Sequence, residues 1–266
     1  MKIISGQLKL NHGLTRLDVL GVVGGLLALT AVAYACIWVG GEKRRVWVCA
    51  NHLKTLGQAF NYYAHDHGDA LPPAVLVERT GSTSWDKEIA PYLEPKLTKQ
   101  SSPEEQKKQM EKVAHIFKCP SDREPRGGAL ARSYSMPMYD LNRVSWPPDE
   151  QCLGGLGLYL DAKVIQKIHE TDSAEAKIPA LKISMVKAPA DTALLVERIS
   201  IVNALWATKF ACTISAKEQF DAKTFEAKDF HGGKMNYLLL DGHVELMSIS
   251  QSIGLMGGVW TIRPKD

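Results

Sequence analysis

Residues 19–40 run for 22 positions without an Asp, Glu, Lys, Arg or His, and no other feature constrains the chain as strongly. At about 1.5 Å per residue a helix of that length spans roughly 33 Å, enough for a hydrocarbon core of about 30 Å. The run therefore predicts a single-pass membrane helix. The rest of the composition is ordinary: 45% of the 266 residues are hydrophobic and 23% charged. That excludes both a disordered polar chain and a polytopic membrane protein, and leaves room for one large domain or two small ones. A secretory signal peptide fits poorly, because its apolar stretch is only about 7–15 residues long and ends at a small-residue cleavage site. Lys2 and Lys9 precede the run and Lys43, Arg44 and Arg45 follow it, so positive charge at both ends leaves the orientation open.

The helical pattern does not stop with the run. Val46, Cys49, Leu53, Leu56, Phe60 and Tyr63 recur at spacings of three and four, with Asn51, Lys54, Gln58, Asn61 and Asp66 between them, which is an amphipathic stripe. No proline occurs before Pro72. One helix is thus expected from about Leu14 to Asp66, ended by His67-Gly68-Asp69 and Leu71-Pro72-Pro73. Its first half, apolar all round, suits lipid or a bundle of similar helices; its second half suits the face of a sheet.

Charge and cysteine narrow the function classes. Thirty-two basic and 29 acidic residues are scattered without an aromatic-interleaved basic stripe, so no nucleic-acid partner is expected. Cys36, Cys49, Cys119, Cys152 and Cys212 lie far apart without CxxC or Cys/His clustering, so a zinc site is not expected and no metal is assigned. A disulfide between Cys49 and Cys119 would tie the long helix to the following domain in an oxidising compartment. Buried free thiols are the equal alternative.

Local patterns then outline the region after the helix. Ser102-Pro103-Glu104-Glu105 reads as an N-cap, a proline in the first helical position and a capping-box Glu, opening a charged surface helix through about Ala114. Residues 192–197, TALLVE, read as a strand. Residues 235–247 read as a hairpin around Asp241-Gly242, for which a type I′ turn is expected. Residues 158–169 suit either a short helix or a strand pair.

Several segments together carry a family resemblance. Gly13-Leu14-Thr15-Arg16-Leu17-Asp18 resembles the type IV prepilin cleavage motif. Cys49-Ala50-Asn51-His52-Leu53-Lys54-Thr55-Leu56-Gly57, Tyr63-Ala64-His65-Asp66-His67, Leu71-Pro72-Pro73, Phe117-Lys118-Cys119-Pro120-Ser121-Asp122 and Ser133-Tyr134 resemble segments of pseudopilin-like proteins. His231, nine residues, then Asp241-Gly242 reproduces the C-terminal signature of that family. The resemblance implies an α+β, pilin-like fold in which a long N-terminal helix packs on an antiparallel sheet. It implies residues 1–13 as a leader, 14–40 as the membrane half of the helix, 41–67 as its amphipathic half and 68–266 as the head.

The same resemblance implies a function. A prepilin peptidase would cut between Gly13 and Leu14 and methylate the new amino terminus, with Thr15 and Asp18 as motif residues for processing and assembly. The chain would be a single-pass protein of the inner membrane, its head extracytoplasmic. Its partners would be itself or other pseudopilins in a type II secretion or type IV pilus-like machine. Arg16 stands where the family has an apolar residue, Asp18 replaces Glu, and the helix proline of pilins is missing. These departures support the alternative of an uncleaved, signal-anchored binding protein with the same fold.

Two local questions stay open at this stage. His231 and Asp241 would form a site at the sheet edge, or His231 would hydrogen-bond a carbonyl or carboxylate and fix a loop that Gly232 and Gly233 let turn. His65, Asp66, His67 and Asp69 would be a solvated helix cap. Pseudopilin heads can hold calcium, and Asp229 would be a candidate oxygen ligand, but no cofactor is assigned. No GxSxG, HExxH or phosphate-binding loop occurs, so no enzyme activity is expected.

Overall fold

The computed structural model describes residues 16–78, 81–95, 97, 102–139, 155–160, 163–166, 180–206, 212–215, 231–253 and 258–260, with backbone alone at 16–18, 35–39 and 78. Gly13, Leu14, Thr15, Cys152 and Asp229 lie outside these residues, as do the side chains of Asp18 and Cys36. The chain divides into two compact units, residues 1–44 and 45–266.

Helix α1, Arg16–Asp66, is continuous over 51 residues, close to the expected bounds. In the first unit, the described apolar side chains from Val19 to Tyr34 are exposed. Among the described residues no helix is long and apolar enough to cross a membrane; the apolar run has its side chains described at 19–34 and at 40. In the second unit the amphipathic stripe is buried as its spacing requires: Cys49, Leu53, Leu56 and Phe60 have no exposed surface and Tyr63 little. Burying each large apolar side chain contributes about 1.5–3 kcal/mol, so this half of the helix is part of the core.

A left-handed turn ends α1. The Asp69 N–H donates to the Ala64 carbonyl at 2.9 Å, and Gly68 lies at φ 62°, the geometry of a glycine-terminated helix. The chain is then fixed by the Leu71 N–H on the Leu181 carbonyl and the Ser184 N–H on Asp69 Oδ2. His65 and Asp66 face solvent, as expected of a cap.

The sheet comprises β1 (Val75–Glu78), β2 (Gly81–Ser84), β3 (Tyr134–Tyr139), β4 (Gly157–Leu160), β5 (Ala193–Glu197), β6 (Thr213–Ile214), β7 (Met235–Leu239) and β8 (Val244–Met247). Its order is β2-β1-β4-β3-β5-β7-β8, with β6 also paired to β3. The sheet is mixed, whereas a wholly antiparallel one was expected: β1 with β4, β3 with β4 and β3 with β6 are parallel. Long connections allow this, since a parallel pair needs a crossover rather than a tight turn. Strands β5 and β7 are buried at every position, as continuous apolar runs covered on both faces should be. Helix α1 covers one face, and it comes close: a Cβ on Gly57 would stand 3.2 Å from both methyl carbons of Leu238.

Three further helices have both ends described: α2 (Trp85–Leu93), α3 (Pro103–Val113) and α4 (Ile249–Ile253). Helix α3 carries the expected capping box, with Ser102 and Glu105 satisfying each other's backbone N–H groups. Of residues 158–169, 158–160 are the end of β4 and 163–166 form a helical turn. The β7–β8 hairpin forms as expected, but its turn differs. Only Gly242 has positive φ, at 96°. The Gly242 N–H donates to the Leu239 carbonyl and the Leu239 N–H to the His243 carbonyl. Leu238 pairs with Val244, so the loop is one residue longer than a type I′ turn allows and closes as a type I turn with a glycine bulge.

Candidate functional site

Four side chains from four separate segments meet inside the second unit. Cys49 comes from α1, Cys119 from the loop after the 3₁₀ turn Ala114–Phe117, Glu197 from the last position of β5 and His231 from the segment before β7. One ligand-type atom from each lies within 4.8 Å of the other three, and all four residues are buried. Cys49 Sγ donates to Glu197 Oε1 at 2.5 Å. His231 Nε2 stands 3.3 Å from Cys119 Sγ and 3.2 Å from the same Glu197 oxygen.

Each member is positioned by local chemistry. Cys49 is set by its place on the buried stripe of α1. Cys119 opens a turn in which the Asp122 N–H donates to the Cys119 carbonyl, and the Cys119 N–H donates to Ser133 Oγ. The Ser133 hydroxyl in turn donates to Asp122, whose carboxylate also takes a bidentate pair from Arg126, 2.6 Å on each side. Glu197 Oε2 accepts the Asn236 N–H at 2.8 Å, and the Asn236 side-chain amide reaches Oε1 at 3.3 Å. His231, Gly232 and Gly233 have φ of 46°, 68° and 81°, so the glycines do permit a turn and His231 itself is held in a conformation that costs a non-glycine residue energy. The Tyr134 hydroxyl closes the cluster, 3.0 Å from Cys49 Sγ.

The electrostatics are those of buried groups in close contact. Burial pushes the Cys49 thiol well up, and its contacts with Cys119 and Glu197 add to that. Burial also pushes Cys119 up, but hydrogen bonds with Cys49 and His231 outweigh it and leave the thiol lowered. Burial pushes His231 down, yet hydrogen bonds with Cys119 and Glu197 raise it to about 10. Burial raises Tyr134 well above its ordinary value.

A nucleophilic triad is a poor description of this arrangement. There the base uses one ring nitrogen for the nucleophile and the other for the orienting acid, whereas Cys119 and Glu197 converge on the same Nε2. Nor does any of the four side chains reach the surface. Convergence of two sulfurs, a ring nitrogen and a carboxylate oxygen is instead the pattern of groups able to hold a soft metal ion or, for the two sulfurs, to form a bond.

The sequence-based expectations fare unevenly. Cys49 and Cys119 are brought together, and both are free thiols. His231 and Asp241 are not brought together: His231 enters the buried cluster, while Asp241 sits in the exposed hairpin turn and accepts from the His243 N–H and ring. Glu197, in a strand whose other residues are apolar, went unnoticed as a site residue; a carboxylate at the end of a run of Ala, Leu and Val was the available signal. A second buried polar network, Arg132 with Asp86, Asn203 and Cys212, ties the loops beside α2 and went equally unread.

No curated protein and no solved structure matches the chain. Over residues 42–153, less than half of its length, the chain is similar to the bacterial family of proteins of unknown function DUF1559, and that segment contains Cys49, Cys119, Asp122 and Tyr134 of the site just described.

Proposed function

We propose that the chain is a membrane-anchored, pseudopilin-like structural subunit, processed by a prepilin peptidase and joining a type II secretion or type IV pilus-like assembly. One observation carries the reading: α1 runs unbroken from the exposed apolar residues of the first unit into the buried stripe of the second. A helix with those two halves is an assembly element attached to a head. Membrane attachment rests on the 22-residue uncharged run of the sequence. Gly21, Gly24 and Gly25 support assembly, because a Cβ at any of them would meet nothing within 4 Å. Among the described residues no packing requires their small size, whereas close approach of neighbouring helices does.

The uncleaved signal-anchored protein is the second reading, and Arg16 within the motif is the residue that favours it. Replacing Gly13 with Leu separates the two. Cleavage predicts that Gly13→Leu accumulates as a larger, membrane-attached precursor; identical gel positions for variant and parent would show that no leader is removed.

A further inference from the structure

We propose that Cys49, Cys119, Glu197 and His231 form a closed, four-ligand zinc site that clamps helix α1 to the sheet. The inference does not depend on processing or filament assembly, and it concerns residues that the pseudopilin-like reading leaves without a role beyond packing.

Ligand chemistry selects the ion. Two thiolates, an imidazole nitrogen and one carboxylate oxygen are donors that Zn²⁺ takes in tetrahedral sites, and a site with four protein ligands is of the structural kind. Calcium, which takes six to eight oxygens, is excluded by the sulfurs. Geometry agrees with the chemistry. Zinc distances of about 2.3 Å to sulfur and 2.0–2.2 Å to nitrogen or oxygen make a tetrahedron with edges of roughly 3.3–3.8 Å. The 3.3 Å from Cys119 to His231 and 3.2 Å from His231 to Glu197 are close to such edges. The 2.5 Å from Cys49 to Glu197 is the thiol's hydrogen bond, and that edge opens by about 1 Å when a cation replaces the proton.

The surroundings support the ligands as a metal site requires. Asn236 holds both oxygens of Glu197, with Oε1 facing Cys49 Sγ. The Tyr134 hydroxyl faces Cys49, and the Ser133 side chain fixes the Cys119 backbone. With two thiolates, one carboxylate, a neutral imidazole and Zn²⁺ the cluster carries one net negative charge, which these donors spread. A Cys49–Cys119 disulfide satisfies the arrangement less well. It is neutral and has no proton to give, so Glu197 Oε1 loses its shortest donor, the Cys49 thiol at 2.5 Å, and keeps the Asn236 amide and His231. Zinc binding would release the protons held by Cys49, Cys119 and His231 Nε2 to solvent, and no oxidant is needed.

The test uses the full-length protein, purified in detergent without chelators. Elemental analysis should find about one zinc per chain. Replacement by Co²⁺ should give the strong visible bands of tetrahedral cobalt with a near-ultraviolet thiolate-to-cobalt band. Glu197→Gln should lower zinc affinity at least tenfold, and His231→Ala and Cys119→Ser should abolish the cobalt bands. Because these variants can misfold, the parent protein supplies the deciding readout: Cys49 and Cys119 should be protected from alkylation until a chelator is added, without any reductant. Three results would overturn the proposal: a chain lighter by the two hydrogens of a Cys49–Cys119 disulfide, free thiols that take up neither zinc nor cobalt, or bound zinc unaffected by all three variants.

Discussion

Replacing Arg132 with Met removes the cation from a fully buried ion pair. Arg132 and Asp86 have no exposed surface, and their charged atoms meet at 2.7 Å. The guanidinium also donates to Asn203 Oδ1 at 2.7 Å and to Cys212 Sγ at 3.1 Å, and its carbon lies 5.5 Å from the Trp85 ring centroid. Methionine fills much of the volume but leaves Asp86 charged in an apolar setting, with the Trp206 N–H at 2.6 Å as a remaining donor. Breaking one side of a buried pair costs about 3–5 kcal/mol. In a folding unit of this size, each kcal/mol shifts the melting temperature by about 2–4 °C, giving a drop of roughly 6–20 °C. Urea unfolding followed by tryptophan fluorescence reports it directly, because Trp85 packs beneath the lost group. The combined variant Arg132→Met, Asp86→Leu should recover most of the loss, since a well-packed apolar pair can match a buried ion pair. An Arg132→Met protein within about 1 kcal/mol of the parent would refute the reasoning.

Other predictions follow from equally local features. Gly57→Leu should destabilise by about 2 kcal/mol or more, because overpacking against Leu238 exceeds the gain of about 1 kcal/mol in helix propensity; the same unfolding assay checks it. Gly242→Ala should cost about 1 kcal/mol through its positive φ and leave zinc content unchanged, as the hairpin turn is remote in role from the buried cluster. Hydrogen bonds from Ser184 hold the Asp69 carboxyl below its ordinary value. Its contribution is therefore present above the unfolded pKa, near pH 4, and fades as pH falls through the folded value. Melting curves from neutral to acid pH should accordingly fall less steeply for Asp69→Asn than for the parent.

What the sequence made legible, and what it hid, has a physical pattern. Helix α1 was readable because Val46 through Tyr63 repeat an apolar residue every three or four positions, and its end was readable because Gly68 supplies the left-handed turn. The α3 cap and the β7–β8 hairpin were readable for the same reason: Ser102 with Glu105, and Asp241 with Gly242, act on neighbours a few residues away. The turn type was misjudged because strand register, not the Asp-Gly pair, sets the loop length. The parallel pairings escaped notice because β4 and β6 are short and choose partners through tertiary packing. The cluster was half legible. Cys49 and Cys119 could be paired on the supposition that the helix must be tied to the head, but nothing in spacing links either to Glu197 or His231. Only the fold brings positions 49, 119, 197 and 231 together.

The pseudopilin-like reading stands or falls most directly on the first residue of the mature chain. Mass spectrometry of the N-terminal peptide, taken from membranes of the native cell, should find N-methylated Leu14 and a protein lighter by about 1.4 kDa for the lost leader. A membrane protein that still begins MKIISG would contradict it and make the uncleaved anchor the working description.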